Sequence, residues 1–241
     1  MLMKTRWLRL RTAIAATAAV FLAAAAPQSK PAAKAPVNWV QVVQITPQGG
    51  LRTGNPAAKV KLLEFGSFTC PTCARFEAVG VPALLRDYVA GGQVSFEFRG
   101  FPIHGPVDVS MTLLSMCQTP KVRARLSKAL FESQNMLIDG FQAIPETEIA
   151  RLNTLPPETA LLQYADAGGL DEFAAKFGIT KARFAQCIAD PVNNAKFEAS
   201  SREAQERYKL TGTPWFVLNG KPLENTSNWI ALEPQLREAL Q

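Results

Sequence analysis

The chain has 241 residues, of which 47% are apolar, and a formal net charge of +6. That length fits one sizeable domain, or one domain that carries an insertion, and the apolar fraction suits a soluble protein with a substantial core. Four positive charges lie near the N-terminus, on Lys4, Arg6, Arg9 and Arg11, and without them the net charge falls to +2. The basic balance therefore comes mostly from a targeting segment, and it implies no nucleic-acid partner.

The first 26 residues have the features of a secretory signal peptide. The positive stretch is followed by an Ala-rich apolar run over 13–26, whose small residues Ala25 and Ala26 suit a signal peptidase. The run is shorter than a typical membrane span, and an uncleaved N-terminal anchor is the alternative. Residues 27–37 are rich in Pro, Ala and Lys and predict a disordered lead-in. We therefore expect an exported protein.

The next part of the chain predicts a strand–helix–strand unit. In chain order, its predicted elements are strands at 39–45 and 59–65, a helix from 71 to about 90, and a strand at 93–101. Gly80 and Pro82 interrupt the helical pattern and predict a kink or a short break. Such a unit places its last two strands side by side and parallel, with the strand at 59–65 in the centre of the sheet.

The pattern from about Pro106 to Asp190 is helical, with no good strand. The predicted helices are 107–117, 120–134, 145–152, 157–166, 170–177 and 180–189. After them come a helix at 192–209, a strand at 215–218 (WFVL), a turn at Asn219-Gly220, a partner strand at 221–223 and a closing helix at 228–240. This order is α/β and corresponds to a thioredoxin fold with an inserted helical domain. The predicted thioredoxin-fold domain is 38–105 together with 191–241, and the insertion is 106–190.

Cys70 and Cys73 lie at the start of a predicted helix, in the sequence Cys-Pro-Thr-Cys. Cys70 would face unpaired backbone N–H groups and the positive end of the helix dipole, which favour the thiolate. Pro71 suits the first helical position, and Cys73, one turn further on, would act as the resolving thiol. Half of a zinc site and a purely structural disulfide are the alternatives.

Export places all four cysteines where disulfides persist. Four cysteines allow three pairings, and only Cys70 and Cys73 are closely spaced. Cys117 and Cys187 are therefore left as the complementary pair, with two buried free thiols as the alternative.

Thr213-Pro214 directly precedes an apolar strand, where proline removes a strand N–H. A cis peptide bond opposite the cysteine pair would explain it and would leave the backbone of Thr213 free to pair with an extended substrate. The general preference of X–Pro bonds for trans is the alternative.

Two segments together resemble the DsbA-like thioredoxin-fold oxidoreductases: LLEFGSFTCPTCARFE at 62–77 and GTPWFVLNGK at 212–221. The resemblance runs from about Val60 to the C-terminus. It implies that Cys70 is the nucleophile, Cys73 the resolving cysteine and Pro214 the cis-proline, and that Cys117 and Cys187 form the second disulfide of an alphaproteobacterial subset.

The same resemblance places Glu64 and Glu77 at acidic positions beside the active-site helix. If they are partly buried, a raised pKa would help them relay protons to Cys73, and solvated carboxylates are the alternative. Thr72 stands where the best-known oxidases have His, which predicts a less acidic Cys70. His104 is interpreted as a surface or loop residue rather than a catalytic one.

The function implied is a periplasmic thiol:disulfide oxidoreductase that introduces disulfides into exported proteins. Its partners would be reduced or unfolded exported proteins and a membrane redox partner of the DsbB type, and we expect a monomer without cofactor or metal. Pro71, Thr72, Thr213 and Pro214 would border the substrate groove, with Phe68, Phe101 and Trp215 as apolar candidates. An isomerase or reductase of the same fold, or a non-catalytic chaperone-like module, are the alternatives.

Overall fold

Residues 37–241 are described by a computed structural model, in which they form one compact unit. The predicted signal peptide (1–26) and the lead-in up to residue 36 lie outside the described residues. Within 37–241, no helix is long and apolar enough to cross a membrane.

The sheet has six strands in the order β1-β2-β4-β3-β5-β6. Their bounds are β1 Val43–Ile45, β2 Leu51–Gly54, β3 Val60–Gly66, β4 Val94–Gly100, β5 Trp215–Leu218 and β6 Lys221–Pro222. Strands β3 and β4 are parallel and all other neighbours are antiparallel. The predictions of a central strand and of its parallel neighbour are therefore confirmed.

The N-terminal part of the sheet differs from the prediction. Only Val43–Ile45 of the predicted strand 39–45 forms a strand, because Trp39–Gln41 forms a 3-10 turn instead. Strand β2 was not predicted: it has only four residues, follows Gly50 and ends at Gly54. It pairs with both β1 and β4, so long-range pairing rather than local pattern defines it.

The helix after β3, called here the cysteine helix, consists of four consecutive segments: α-helical Pro71–Arg75, π-helical Phe76–Gly80, α-helical Val81–Leu84 and π-helical Leu85–Val89. The predicted kink or break at Gly80 and Pro82 is thus a π-helical turn within a continuous helix. Pro82 has no N–H to donate, and the Val81 N–H bonds to the Phe76 carbonyl five residues back. Gly80 allows the Phe76 ring to pack closely, since a Cβ there would lie 2.5 Å from it.

Seven helices lie between β4 and helix Pro191–Glu206, and no strand interrupts them. Their bounds are Pro106–Met116, Pro120–Glu132, Gln134–Gln142, Glu146–Leu152, Pro157–Ala167, Leu170–Ala175 and Lys181–Ile188. The helix Gln134–Gln142 was not predicted, because its polar start and internal Gly140 obscure the apolar period. We call residues 106–190 the helical insertion. The predicted boundaries coincide with helices that begin at Pro106 and Pro191, and the division into domains stays a prediction.

The remaining elements follow the predicted order. Helix Pro191–Glu206 leads to β5, and Asn219 and Gly220 form the predicted hairpin turn, with φ of 49° and 82°. Helix Trp229–Leu240 closes the chain.

The sheet has a hydrophobic cluster on each face. Leu62, Phe96 and Phe216 belong to the larger cluster, which includes the cysteine helix, the insertion and the closing helix. Phe65 and Val217 belong to the smaller one, with Tyr208 beyond helix Pro191–Glu206. Strand β3 contributes to both faces, its carboxyl end is buried, and the cysteine helix begins a few residues after it.

Candidate active site

Cys70 occupies the N-cap of the cysteine helix, as predicted. Its backbone is extended (φ −84°, ψ 119°), Pro71 takes the first helical position, and the Ala74 N–H donates to the Cys70 carbonyl at 3.1 Å. Residues 67–70, called here the cysteine loop, connect this helix to the end of β3. Pro71 and Thr72 are exposed, so the helix start is open to a partner molecule.

Several donors converge on the sulfur of Cys70 and lower its pKa to about 5. The largest effect is a hydrogen bond from the Cys73 thiol; the Thr213 side chain and the backbone N–H groups of Cys73 and Thr72 add to it, while burial opposes them. A thiol with this pKa is almost entirely thiolate at neutral pH.

Cys73 has the opposite environment. It is fully buried, and its pKa is raised by burial, by the hydrogen bond it donates to Cys70, and by the negative charges of Glu64 and Cys70. Both cysteines are unpaired in this structure. The two sulfurs therefore differ in acidity because of their surroundings; Cys70 is 5% exposed and Cys73 is fully buried.

The peptide bond between Thr213 and Pro214 is cis, as predicted. The Cys70 sulfur lies 3.3 Å from the Thr213 carbonyl oxygen, across 143 residues of sequence. The loop before β5 thus lies directly opposite the N-terminus of the cysteine helix, and it brings backbone groups of Thr213 beside the sulfur.

Glu64 and Glu77 lie on the inner side of the site. Glu64, in β3, is 2% exposed, and its pKa is raised well above the ordinary value by burial, then by the charges of Glu77 and Cys70. Glu77 is half-buried on the cysteine helix, and burial raises its pKa to about 7, with Glu132 adding to the rise and Lys128 opposing it. A fully solvated carboxylate is therefore the wrong description of Glu64.

Asp108 is a buried residue of the site that the sequence did not indicate. Its carboxylate accepts from the Ser67 hydroxyl (2.7 Å), the Thr69 hydroxyl (2.9 Å) and the Thr69 N–H (3.2 Å). It also accepts from the N–H groups of Ile103 (3.0 Å) and His104 (2.8 Å). The only available signal was an Asp in the first turn of a helix that begins at a proline.

His104 is exposed and lies in the loop after β4, as interpreted from the sequence, but it is not remote from the cysteines. Its Nδ1 lies 2.7 Å from the Thr69 hydroxyl. Because the single proton of that hydroxyl is donated to Asp108, we assign the ring as the donor through Nδ1–H. The folding of the insertion onto the cysteine loop creates this contact.

Gln134 is a second unpredicted neighbour, at the start of the unpredicted helix Gln134–Gln142. It is buried, and its amide Nε2 donates to the carbonyls of Phe68 (2.8 Å) and Cys70 (3.0 Å). Two side chains of the insertion thus hold the cysteine loop in place: Asp108 as an acceptor and Gln134 as a donor.

The thioredoxin family profile, described as Thioredoxin, matches residues 46–238 of the chain. The chain belongs to the thioredoxin family. This confirms the predicted fold class, an α/β thioredoxin fold with inserted helices.

Individual relatives within the thioredoxin family are named for disulfide chemistry. The probable disulfide bond formation protein D of Bacillus cereus is 38% identical over 52 residues, which cover 22% of this chain and 24% of that relative. The chain thus matches about a quarter of the length of that curated protein.

Solved structures extend the likeness over most of the chain. A protein-disulfide isomerase from Novosphingobium aromaticivorans is 30% identical with a TM-score of 0.74, covering 80% of this chain and 98% of that one. Wolbachia pipientis alpha-DsbA1 has a TM-score of 0.61 at 19% identity, covering 78% and 89%. The chain therefore shares its fold with both of these proteins.

Cys117 and Cys187 form a disulfide, with their Cα atoms 5.3 Å apart and a sequence separation of 70. The alternative of two buried free thiols does not describe the structure, and neither does a ligand set shared with Cys70 and Cys73. Cys187 is fully buried and Cys117 is half-buried at the end of helix Pro106–Met116. The bridge ties the first helix of the insertion to its last.

Two of the three apolar groove candidates lie elsewhere. Phe68 and Phe101 are 1% and 7% exposed and belong to the two core clusters, while Trp215 is half-buried against the smaller cluster. The apolar surface beside Thr72 is instead a cleft of about 430 Å³ between the cysteine helix and the start of the closing helix. Val79 (62% exposed) and Ile230 (85% exposed) line it.

Proposed function

We propose that this protein is a thiol:disulfide oxidoreductase of the periplasm that introduces disulfides into exported proteins. The observation that carries the proposal is the difference between the two sulfurs: Cys70, beside the exposed residues Pro71 and Thr72, has a pKa lowered to about 5, whereas burial raises the pKa of Cys73. Stabilising the Cys70 thiolate stabilises the reduced form, which makes the disulfide a stronger oxidant.

The exchange begins with the Cys70–Cys73 disulfide. A substrate thiolate attacks Cys70 Sγ, so a substrate–Cys70 bond forms, the Cys70–Cys73 bond breaks, and Cys73 leaves with the electron pair and takes up a proton. A second substrate thiolate then attacks the substrate sulfur of this mixed disulfide. The substrate disulfide forms and Cys70 leaves as a thiolate, so the protein has gained two electrons and the substrate has lost two.

Glu64 and Glu77 support the proton transfer at Cys73. Both carboxyl groups have raised pKa values, with that of Glu77 near neutrality, and Glu64 is close enough to affect the pKa of Cys73. A carboxyl group whose pKa lies near the working pH can give and take a proton. We assign Glu64 as the inner member of this relay and the half-buried Glu77 as the link to solvent.

The substrate would lie across the N-terminus of the cysteine helix. Pro71 and Thr72 are exposed there, the backbone of Thr213 lies opposite Cys70, and the apolar cleft lined by Val79 and Ile230 extends from Thr72. An apolar cleft with free backbone groups suits extended, unfolded chains of varied sequence. Reoxidation would be the task of a membrane partner of the DsbB type, acting on a monomer.

Export is part of the proposal and rests on residues 1–26. Fusion of this segment to a reporter enzyme that is active only outside the cytoplasm should yield active reporter. Inactive reporter retained in the cytoplasm would contradict the periplasmic location.

The second candidate is a disulfide isomerase or reductase with the same chemistry. Its support is the name of the 30%-identical structure from Novosphingobium aromaticivorans, a protein-disulfide isomerase. Thr72 between the sulfurs also fits a less oxidising pair, because a histidine there would add a donor near the thiolate.

The glutathione redox equilibrium of Cys70 and Cys73 separates these candidates when it is combined with an oxidation assay on a reduced, unfolded substrate. An oxidase should have a potential near that of strong oxidants, about −120 mV, whereas a value near that of thioredoxin, about −270 mV, would refute it. Cys70→Ser should abolish the oxidation. Protection of the unfolded substrate from aggregation that is unchanged in Cys70→Ser would favour a non-catalytic, chaperone-like module.

A further inference from the structure

Side chains of the helical insertion hydrogen-bond to both the donors and the acceptors of the cysteine loop. Asp108 accepts from the donors of the loop, namely Thr69 N–H, Thr69 hydroxyl and Ser67 hydroxyl. Gln134 donates to its acceptors, the carbonyls of Phe68 and Cys70. The loop makes one internal backbone bond, from Cys70 N–H to the Ser67 carbonyl at 3.2 Å, so side chains from outside supply much of its hydrogen bonding.

We propose that Gln134 and Asp108 are positioning residues that hold the Cys70 backbone in place for thiol–disulfide exchange. The inference rests on the proposed function, because it assigns a task only if Cys70 exchanges disulfides. It gives the helical insertion a part in the chemistry of a cysteine that lies outside it.

Gln134 acts at the first hydrogen bond of the cysteine helix. The Cys70 carbonyl accepts from the Ala74 N–H at 3.1 Å and from the Gln134 amide at 3.0 Å. The second bond fixes the direction of that carbonyl, and with it the N-cap geometry that turns the Cys70 sulfur toward the N–H groups of Thr72 and Cys73. A buried amide that makes two such bonds resists displacement, since moving it would leave buried polar groups unpaired.

Asp108 acts on Ser67 and on Thr69, the residue before Cys70. It is fully buried and accepts five hydrogen bonds, three from the cysteine loop and two from the backbone at Ile103 and His104. A carboxylate with this many donors fixes both loops against each other. Neither Asp108 nor Gln134 hydrogen-bonds to the Cys70 sulfur, so each acts through residues 67–70.

The test uses substitutions that keep the shape of each side chain and change its hydrogen bonding. Gln134→Met keeps the length of the side chain and removes both N–H donors, and Asp108→Asn keeps the shape but replaces one acceptor oxygen with a donor. The matched control is Gln142→Met, an exposed glutamine at the other end of the same helix. For each protein the pKa of Cys70 is measured by the ultraviolet absorbance of its thiolate, together with the glutathione equilibrium and the urea unfolding of both redox forms.

We expect Gln134→Met and Asp108→Asn each to raise the pKa of Cys70 by about 0.5 or more, and to shift the glutathione equilibrium by about threefold toward a weaker oxidant at neutral pH. Gln142→Met should leave both quantities at their wild-type values. If Gln134 or Asp108 only stabilises the fold, unfolding free energies fall equally in both redox forms while the pKa of Cys70 stays unchanged, and that result would overturn the proposal. An equal pKa shift in Gln142→Met would overturn it as well.

Thr69→Val provides a variant from the other side of the loop if a buried substitution prevents folding. It removes the hydroxyl that donates to Asp108 and should shift the pKa of Cys70 in the same direction; an unchanged pKa would count against the proposal. A wild-type protein with an ordinary Cys70 pKa and no oxidation of substrate would refute the proposed function. If the wild type has an acidic Cys70 and oxidises substrate, variants with the same Cys70 pKa and the same activity refute only the positioning role.

Discussion

The acidity of Cys70 predicts that the reduced protein gains stability over the oxidised protein as the pH rises. The pKa of Cys70 is lowered from its ordinary value of 9.0 to about 5 in the folded, reduced protein. Because the folded pKa lies below the unfolded one, this stabilisation is complete above pH 9 and disappears as the pH falls through 5. The oxidised protein has no thiol at this position and lacks the contribution.

The magnitude follows from the same shift. A full shift would contribute about 2.7 kcal/mol at pH 7, but Pro71 and Thr72 beside the sulfur are exposed, and solvent screening reduces the effect. We expect the free energy of unfolding of the reduced form, minus that of the oxidised form, to rise by about 1.5 kcal/mol between pH 4.5 and pH 7.

Urea unfolding of both redox forms at a series of pH values measures this difference. Glu64 and Glu77 titrate in both forms, so subtraction largely removes their contributions. Reduced Cys70→Ser serves as the control and should show no comparable rise. A difference that stays constant with pH, or that is larger at acidic pH, would refute the assignment of Cys70 as the stabilised thiolate.

Three further changes test other parts of the structure. Replacing Cys117 and Cys187 together by Ala opens a loop closed over 70 residues and should lower the free energy of unfolding by about 4 kcal/mol, measured by urea unfolding; a loss below about 1 kcal/mol would contradict a stabilising role for the bridge. Glu64→Gln should slow the attack of Cys73 on a preformed mixed disulfide by about 100-fold, and an unchanged single-turnover rate would remove Glu64 from the relay. Gly220→Ala should lower the free energy of unfolding by about 1–2 kcal/mol, because the φ of Gly220 is 82°. A Cβ there would meet no atom within 4 Å, so the cost would come from the backbone alone. An unchanged thermal unfolding temperature would show that this cost is absent.

Local sequence predicted most of the fold. The helical period, the prolines at helix starts and the Asn219-Gly220 turn act over a few residues, so elements that depend on them were found close to their observed bounds. Strand β2 and helix Gln134–Gln142 were missed because they are short, carry weak patterns, and are stabilised by what they pack against.

The sequence by itself determined the reactive centre: two cysteines three apart, a proline at the first helical position, and a strand directly before them are enough to place Cys70 at a helix N-terminus. Only the tertiary structure decided what else surrounds it. The sequence had already predicted Thr213 and Pro214 opposite Cys70, across 143 residues, but Gln134 and Asp108, which reach the cysteine loop across 64 and 39 residues, were not predicted. Their contacts depend on how the insertion folds back onto the sheet, and because hydrogen bonds form only at short range and fixed angles, no local pattern along the chain encodes them.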